Sequence, residues 1–441
     1  MVHVKPGKSR PHPKILREKN NNKNELIFNI EISIFSSAMD TPNNTTKLSD
    51  VTTANSNKKE LHAMLDLVTV AAMENVWSKS PCSYQLCAIT SLLKMHCKGQ
   101  HPSSLLLVQG TGTGKSTVPQ TVGVITCGVT LVIENTLSLG ADQRSKFKNA
   151  SQHNGPITAY QLDSIMDKDD VDSLISMLLK IPSNTNASIF LYSSPEKLLD
   201  PKWSNLVDEL IKNKILKLIC VDEVHQFVLF TLSFRTDICK LKNSFFKKIK
   251  DTSHTHNLRI PLLLMTATMT IELVQQFEQI SGIILNPNNY VWASATEISR
   301  RHICINFEIL PSHILPKLQN ILKDVLENNL HKKVIVYTST AKKAEDLKEK
   351  IDHFLDDNPT IKGDTMLIYG NMYADVKFLS TVKFTNKETN PQDLIDNNEY
   401  YPCILFATAS CIGNGLDLKD VFRVIHVGFP TSSIDCVQEM G

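Results

Sequence analysis

Residues 105–116 read LLLVQGTGTGKS, and this stretch decides the first half of the fold. A short apolar run, Leu105–Val108, leads into a glycine-rich loop and then into a helix-like segment. Glycines let backbone N–H groups approach phosphate oxygens, and the positive end of the following helix adds to the attraction. Lys115 would reach the β- and γ-phosphates, and the Ser116 hydroxyl would bind Mg²⁺. The predicted phosphate-binding residues are Thr111, Gly112, Thr113, Gly114, Lys115, Ser116 and Thr117.

A second motif follows an apolar run near the middle of the chain, where residues 218–225 read LICVDEVH. Two adjacent acids at the end of a buried strand are the arrangement that metal-assisted phosphoryl transfer needs. Asp222 is predicted to hold Mg²⁺, and Glu223 to orient and deprotonate the attacking water. His225 is predicted to contact both this site and a moving neighbour. An Asp-Glu pair on a surface turn would mean nothing, but the strand before it and the phosphate loop upstream together predict an ATPase of the helicase kind.

Short apolar runs alternate with longer helix-like stretches from about residue 60 onward. Runs of this length indicate strands covered on both faces, which is typical of parallel sheets in an α/β fold. An Asn-rich turn separates two series of runs, so we predict two α/β lobes, at residues 61–295 and 296–441. The predicted strands are Leu105–Val108, Leu131–Ile133, Ile189–Tyr192, Leu218–Val221, Leu262–Met265, Val334–Tyr337, Met366–Tyr369, Ile404–Phe406 and Val424–Val427.

Further motifs precede and follow the DEVH motif in a fixed order. The segment PCSYQ at 81–85 ends in Gln85, and a glutamine can bond adenine N6 and N7 together. TLSLGADQ at 136–143, SPEKL at 194–198 and TAT at 266–268 follow. With these motifs in this order, the chain over about residues 80–441 resembles the RecQ family of DNA helicases, in superfamily 2. The resemblance implies adenine recognition by Gln85, contact with single-stranded DNA by Ser138, Gln143, Pro195 and Glu196, and coupling of hydrolysis to lobe movement by Thr266 and Thr268.

The region after the DEVH motif carries the most family-specific part of the resemblance. RecQ helicases have an aromatic-rich loop there, and the spacing from His225 to a Phe-Arg pair is kept. Phe230 stands where the family usually has Trp, and a flat ring can still stack on a base. Three stretches of the second lobe, VIVYTST at 334–340, ATASCIGNGLD at 407–417 and QEMG at 438–441, also resemble family elements. Coupling roles are implied for Phe230, Phe234, Arg235, Gly415, Asp417 and Gln438, and DNA contacts for Thr338 and Thr408.

Only the first residues of the last of these elements, which begins at Gln438, are present in the sequence given. The sequence given ends at Gly441, inside what resembles a Q-E-x-G-R-x-G-R motif. Both arginines of that motif would follow, including the finger that steadies charge on the transferred phosphate. The sequence therefore predicts either a fragment of a longer protein or a motor with little turnover.

The resemblance implies an ATP-dependent 3′–5′ DNA helicase of two RecA-like lobes, with ATP and Mg²⁺ as cofactors. Its partners would be single-stranded and forked DNA and repair or recombination proteins, in the nucleus. One alternative is a module that binds ATP and nucleic acid but hydrolyses little, because the final arginines are missing. Another is a DExH RNA helicase, because KSTVPQ at 115–120 also resembles DEAH-box RNA enzymes. The Phe234-Arg235 spacing and the Gln438-Glu439 pair favour RecQ.

Composition narrows the range of functions. Lys and Arg number 47 against 45 Asp and Glu, a net charge of +2, which argues against a uniformly basic nucleic-acid binder but allows a local basic groove. No run of 18 apolar residues occurs, so no membrane contact is predicted. The cysteines form no C-x-x-C pair, so neither disulfides nor a zinc site is predicted, and a reducing intracellular compartment is favoured. Residues 1–60 are basic or rich in Asn, Thr and Ser, and are predicted to be a disordered tail.

Overall fold

The structure is a computed structural model of the 441-residue chain. It describes residues 49–98, 104–134, 156–162, 168–232, 240–256, 260–293, 314–328, 333–361, 363–369, 402–408 and 421–428, together with single residues at 147, 372, 380 and 384.

A parallel sheet forms the centre of the first lobe. Its strands are β1 (Ser104–Val108), β2 (Gly128–Ile133), β3 (Ile157–Leu162), β4 (Ser188–Ser193), β5 (Leu216–Val221), β6 (Leu262–Thr266) and β7 (Tyr290–Trp292). They lie side by side in the order β3-β4-β2-β5-β6-β1-β7, and each neighbouring pair is parallel. The α/β class predicted for this lobe is confirmed.

Every strand predicted for the first lobe is present, with small shifts at the ends. Strands β1, β2 and β4 are buried along their whole length, which explains why they read as continuous apolar runs. The sequence analysis misses β3 and β7, which lie at the two edges of the sheet. Thr158 of β3 is exposed and β7 has only three residues, so neither gives the apolar signal of a central strand.

Helices pack against this sheet and supply the rest of its core. They are α1 (Ser49–Trp77), α2 (Ser83–Lys98), α3 (Thr117–Thr126), α4 (Lys168–Leu179), α5 (Pro201–Lys212), α6 (Val224–Leu232), α7 (Lys247–Thr255) and α8 (Ile271–Ser281). Their apolar sides contribute Trp203, Leu210 and Phe277 to the core. In the described part of the chain, no helix combines the length and the apolar character that crossing a membrane requires.

The second lobe is built on a smaller parallel sheet. Its strands are β8 (Lys333–Thr338), β9 (Asp364–Ile368), β10 (Pro402–Thr408) and β11 (Val421–Val427), in the order β11-β8-β10-β9. Helices α9 (Ile314–Asn328) and α10 (Ala341–Asp356) belong to this lobe. Helix α10 has an apolar stripe, in which Leu347 and Ile351 are buried and Phe354 and Leu355 pack against the same core. All four strands predicted here are present.

The segment after the DEVH motif corrects one prediction. The sequence analysis expects an aromatic-rich loop through residues 226–233, but α6 continues as a helix to Leu232. Val224 and Val228 are one helical turn apart and are both fully buried. Packing of this apolar stripe against the core favours the helix over an open loop.

The first helix overlaps the end of the segment that is predicted to be a disordered tail, and for that segment disorder stays a prediction. Helix α1 begins at Ser49, inside the segment 1–60 that is predicted to be disordered. Leu65, Ala72 and Met73 of the same helix are almost fully buried. Once that part is helical, each added residue gains a hydrogen bond without a new nucleation step, so the helix extends into the polar sequence before it. Residues 1–48 lie outside the described residues.

The parallel strands place the sequence motifs at one edge of the first sheet. The phosphate loop follows β1, Asp222 follows β5, and Thr266 ends β6. Carboxyl ends of parallel strands meet at the same edge, which is where ligands bind in open α/β sheets. The motifs that are far apart in sequence are therefore neighbours in the fold.

Candidate active site

The phosphate loop is folded around its own lysine. Gly112 and Gly114 have φ values of 69° and 91°, a left-handed conformation that favours glycine. Lys115 Nζ donates to the Gly110 carbonyl at 2.9 Å, and Thr113 Oγ1 donates to the same oxygen at 2.8 Å. Only 9% of Lys115 is exposed, so its charge lies inside the loop. An arriving phosphate would offer this ammonium a stronger acceptor than a carbonyl.

The segment before the loop is tied to it by two side chains. Gln85 Nε2 donates to the Gly114 carbonyl at 3.0 Å, while Gln85 Oε1 accepts from Cys82 N at 3.0 Å. The Tyr84 hydroxyl donates to the Thr113 carbonyl at 2.8 Å. Burial raises the pKa of Tyr84 to about 12, so it remains a donor at neutral pH. Both ends of the Gln85 amide are engaged within the chain, and adenine recognition by Gln85 stays a prediction.

The two acids of the DEVH motif have opposite electrostatic behaviour. Burial, and then repulsion from Glu223, raise the pKa of Asp222 to about 7. Burial would also raise the pKa of Glu223, but the hydrogen bond and charge of His225 and the charge of Lys115 hold it below its usual value. Glu223 is therefore the acid of the pair that remains a carboxylate at neutral pH. Its φ of 47° is unusual for a residue with a side chain, and such strain is typical of active sites.

A hydrogen-bond network joins the DEVH and TAT motifs. His225 Nδ1 lies 2.7 Å from Thr266 Oγ1 and 3.3 Å from Glu223 Oε2, and the ring is fully buried. Thr266 Oγ1 also accepts from Thr268 N at 3.0 Å. At the other side of β6, Gln109 N donates to the Thr266 carbonyl at 3.1 Å. Thr266 thus connects Glu223, through His225, to the start of the phosphate loop.

Ser116 and Asp222 are suited to hold a magnesium ion. Both line one small cavity behind the phosphate loop, and they supply a hydroxyl and a carboxylate oxygen. Magnesium prefers oxygen ligands and is usually held by one or two carboxylates together with phosphate oxygens and water. The hydroxyl of Ser116 and the carboxylate of Asp222 therefore fit the predicted Mg²⁺. Within the described ranges, no group of three or more His, Cys, Asp or Glu residues could hold a metal.

The predicted DNA contacts that the structure describes all follow strands. Pro195 and Glu196 come directly after β4, where Pro195 is buried and Glu196 is exposed. Thr338 ends β8 but is only 3% exposed, and its hydroxyl donates to the Thr340 carbonyl at 3.0 Å. Thr408 ends the neighbouring strand β10. These positions are at carboxyl edges, and DNA contact stays a prediction for all of them.

Several predicted residues cannot be placed in this way. Phe230 lies in α6, and base stacking by Phe230 stays a prediction. Other predicted residues lie outside the described residues: Ser138, Gln143, Phe234, Arg235, Gly415, Asp417 and Gln438.

Sequence reasoning missed some residues of the site. Tyr84 could have been predicted from the sequence, because it is adjacent to Gln85. Its phenol hydroxyl is a donor that can reach a carbonyl of the phosphate loop. Gln120, Glu134 and Tyr192 line the cavity behind Ser116 and Asp222, but they come from three different elements. No local pattern connects them, so only the strand order brings them to the site.

A family comparison agrees with this geometry. Residues 82–277 match the family described as DEAD/DEAH box helicase. The matching segment contains the phosphate loop, both DEVH acids and the TAT motif. The chain therefore contains a segment that is similar to a DEAD/DEAH box helicase domain.

Curated relatives narrow the class. The chain is 25% identical over 331 residues to the probable ATP-dependent DNA helicase RecS of Bacillus subtilis (strain 168), covering 75% of this chain and 56% of RecS. It is 23% identical over 336 residues to the RecQ-like DNA helicase BLM of Xenopus laevis, covering 76% of this chain and 21% of BLM. The chain is thus similar to RecQ-family DNA helicases at low identity over most of its length, and spans less than two thirds of either relative.

A solved structure shows the same fold. The DUF1998 helicase MrfA bound to DNA aligns with a TM-score of 0.61 at 14% sequence identity, over 85% of this chain and 48% of MrfA. At this identity the likeness concerns the fold. It confirms the predicted class, an α/β chain with two RecA-like sheets.

Proposed function

We propose that this chain is an ATP-dependent DNA helicase motor. The observation that carries the proposal is the placement of Glu223, which His225 holds at 3.3 Å at the same sheet edge as the phosphate loop. Lys115 lies close enough to lower the pKa of both Asp222 and Glu223. The relatives RecS and BLM are described as DNA helicases, which supports DNA as the nucleic acid.

In the proposed reaction, Lys115 and the loop N–H groups bind the β- and γ-phosphates of ATP. Glu223 accepts a proton from the water that attacks the γ-phosphorus, the bond to the β–γ bridging oxygen breaks, and ADP and phosphate leave. Its lowered pKa keeps Glu223 deprotonated before the attack. Ser116 and Asp222 would hold Mg²⁺, which would supply positive charge to the phosphate oxygens.

The network around Thr266 supports a coupling role. A proton or phosphate arriving at Glu223 changes its interaction with His225, and His225 bonds Thr266. The Thr266 hydroxyl in turn accepts a hydrogen bond from Thr268 N, and the Thr266 carbonyl accepts one from Gln109 N. We propose that this chain of contacts links hydrolysis to movement of the second lobe. Movement would carry the motor 3′–5′ along single-stranded DNA and open forked duplexes during repair or recombination.

Duplexes with a single-stranded 3′ tail, a 5′ tail or blunt ends test this proposal. We expect single-stranded DNA to stimulate ATP hydrolysis and only the 3′-tailed duplex to be separated. Glu223→Gln provides the control, since it should bind ATP and separate nothing. Stimulation by RNA but not by DNA would favour an RNA helicase. Failure of the unmutated chain to bind ATP would contradict the proposal altogether.

A further inference from the structure

A buried glutamate lies beside the metal-binding end of the site. Glu134 follows strand β2, which pairs with β4 on one side and β5 on the other. Its backbone N–H donates to the Ser193 carbonyl at 2.9 Å. On the other side of β2, the Asp222 N–H donates to the Ile133 carbonyl at 2.9 Å. Glu134 and Asp222 therefore stand at the ends of adjacent strands.

Glu134 is buried and belongs to the lining of the site's small cavity. Only 5% of Glu134 is exposed, and it lines the cavity that Ser116 and Asp222 also line. The cavity has about 10 Å³ of room, which is close to the about 10–15 Å³ that one water molecule requires and far too small for a nucleotide. Gln120 and Tyr192 complete its polar wall, and the Tyr192 hydroxyl is hydrogen-bonded to Gln120.

The charges of Glu134 and Asp222 act on the same surroundings. Burial raises the pKa of Tyr192, and Glu134 and Asp222 each raise it further. Burial likewise raises the pKa of Cys220, with the same two acids adding to the effect. This shared influence places both carboxylates close to one point, independently of the cavity.

A carboxylate beside Asp222 adds negative charge next to the place where a divalent cation would bind. Lys115 lowers the pKa of both Asp222 and Glu223, so a positive charge at this edge already acts on neighbouring acids. A divalent cation on Ser116 and Asp222 would be attracted by the third acid as well. Side chains just outside a metal's ligands typically change its affinity about 10- to 100-fold when they are mutated.

We propose that Glu134 is a positioning residue of the nucleotide site, whose buried carboxylate strengthens the binding of Mg²⁺ at Ser116 and Asp222. This inference rests on the proposed function, because it assumes that a magnesium-bound nucleotide occupies the site. It assigns a role to a residue outside the phosphate loop and the DEVH motif.

The test measures the Mg²⁺ dependence of nucleotide binding rather than turnover. ADP carrying a methylanthraniloyl fluorophore is bound to the chain in EDTA, and Mg²⁺ is then titrated in. We expect Glu134→Gln to require at least about tenfold more Mg²⁺ for half-maximal tightening, with metal-free affinity unchanged. Glu134→Asp keeps the charge and should recover part of the loss.

Glu209→Gln is the matched control, because it also replaces a glutamate by its amide. Glu209 is half-exposed, lies in helix α5 and pairs with Lys212. This substitution should leave both affinities unchanged. An unaltered Mg²⁺ midpoint in a folded Glu134→Gln chain would overturn the inference, and so would an equal loss of metal-free and metal-dependent affinity. If Glu134→Gln does not fold, Glu134→Ala takes its place in the same titration, and an unaltered Mg²⁺ midpoint in that chain would overturn the inference. Absence of ADP and ATP binding by the unmutated chain would contradict the proposed function instead.

Discussion

The carboxyl edges of the two sheets differ in how their side chains are used. At the first sheet, Lys115 bonds its own loop, and His225 connects Glu223 to Thr266. At the second sheet, the Thr338 hydroxyl bonds the turn before α10, and Thr340 caps that helix. At the first edge, these hydrogen bonds position the side chains of the proposed site. At the described part of the second edge, they stabilise the turn before α10 and the start of that helix. Variants of the two edges should therefore affect different measurements.

The largest effect is expected from Glu223→Gln. The amide keeps the size of the side chain but cannot accept a proton, so ATP hydrolysis should fall on the order of 10²- to 10⁴-fold relative to the unmutated chain. ATP affinity should stay within about twofold, because Lys115 and the loop still bind phosphate. Phosphate release and fluorescent-nucleotide titration measure the two quantities. Hydrolysis at the unmutated rate would exclude Glu223 as the base.

Lys115→Ala should act on binding itself. Removing a charged donor to phosphate costs about 1.5–3 kcal/mol, so we expect roughly 10- to 100-fold weaker ATP binding. Lys212→Ala is a suitable control, since this lysine is half-exposed and pairs only with Glu209 in a surface bridge. Equal affinity of the Lys115 and Lys212 variants, measured by the same titration, would show that the loop lysine does not contact the nucleotide.

Alanine substitutions at two glycines, one in each lobe, test how tightly each lobe is packed. A Cβ on Gly123 of α3 would lie 2.6 Å from Thr130 Oγ1 and 2.7 Å from the Phe190 ring, whereas one on Gly363 would meet the Leu326 methyl groups at 3.0 and 3.1 Å. We expect Gly123→Ala to lower the free energy of unfolding by about 1–3 kcal/mol. Gly363→Ala should cost less, because a leucine end can move. Urea unfolding measures both, and a larger loss for Gly363→Ala would reverse this comparison.

Acid should weaken the first lobe through His96. Burial, and then the charge of Lys217, lower the pKa of His96 from 6.5 to about 4, and its buried Nε2 has no partner among the described residues. Between these two pKa values, His96 is therefore protonated in the unfolded chain but not in the folded chain. The stability associated with His96 is complete above pH 6.5 and is lost as the pH falls towards 4.

Between pH 7 and pH 5 this linkage amounts to about 2 kcal/mol. Urea unfolding of the chain and of His96→Gln at the two pH values measures it. The substitution should make stability less dependent on pH, since Gln does not titrate in this range. The same pH dependence in both chains would rule out His96 as the cause.

The smallest effect is expected at the second edge. Thr340 Oγ1 accepts from Lys343 N at 3.3 Å and caps α10. Thr340→Ala should lower the free energy of unfolding by about 1 kcal/mol and leave ATP affinity unchanged. Lys342→Ala, in the exposed first turn of the same helix, should change neither quantity. A loss of ATP affinity in Thr340→Ala would mean that the second edge also shapes the nucleotide site.

Local sequence was sufficient to predict the central strands and to locate the phosphate loop and the DEVH motif. Central strands such as β1 and β4 are buried on both faces, so each shows its identity in its own apolar run. The phosphate loop and the DEVH acids were found because each follows such a run directly. Nothing beyond the neighbouring residues is needed for these predictions.

The tertiary structure decided which of these residues act together. His225 and Thr266 are 41 positions apart and meet only because β5 and β6 are adjacent in the sheet. Glu134 and Asp222 line one cavity because β2 lies beside β5, and the helical state of α6 depends on the core that buries Val228. The periodicity of apolar residues predicts which face of a helix or strand is buried, but it does not predict which strand lies beside it in the sheet. Strand order, and with it the pairing of charges at the sheet edge, is fixed only when the whole lobe packs.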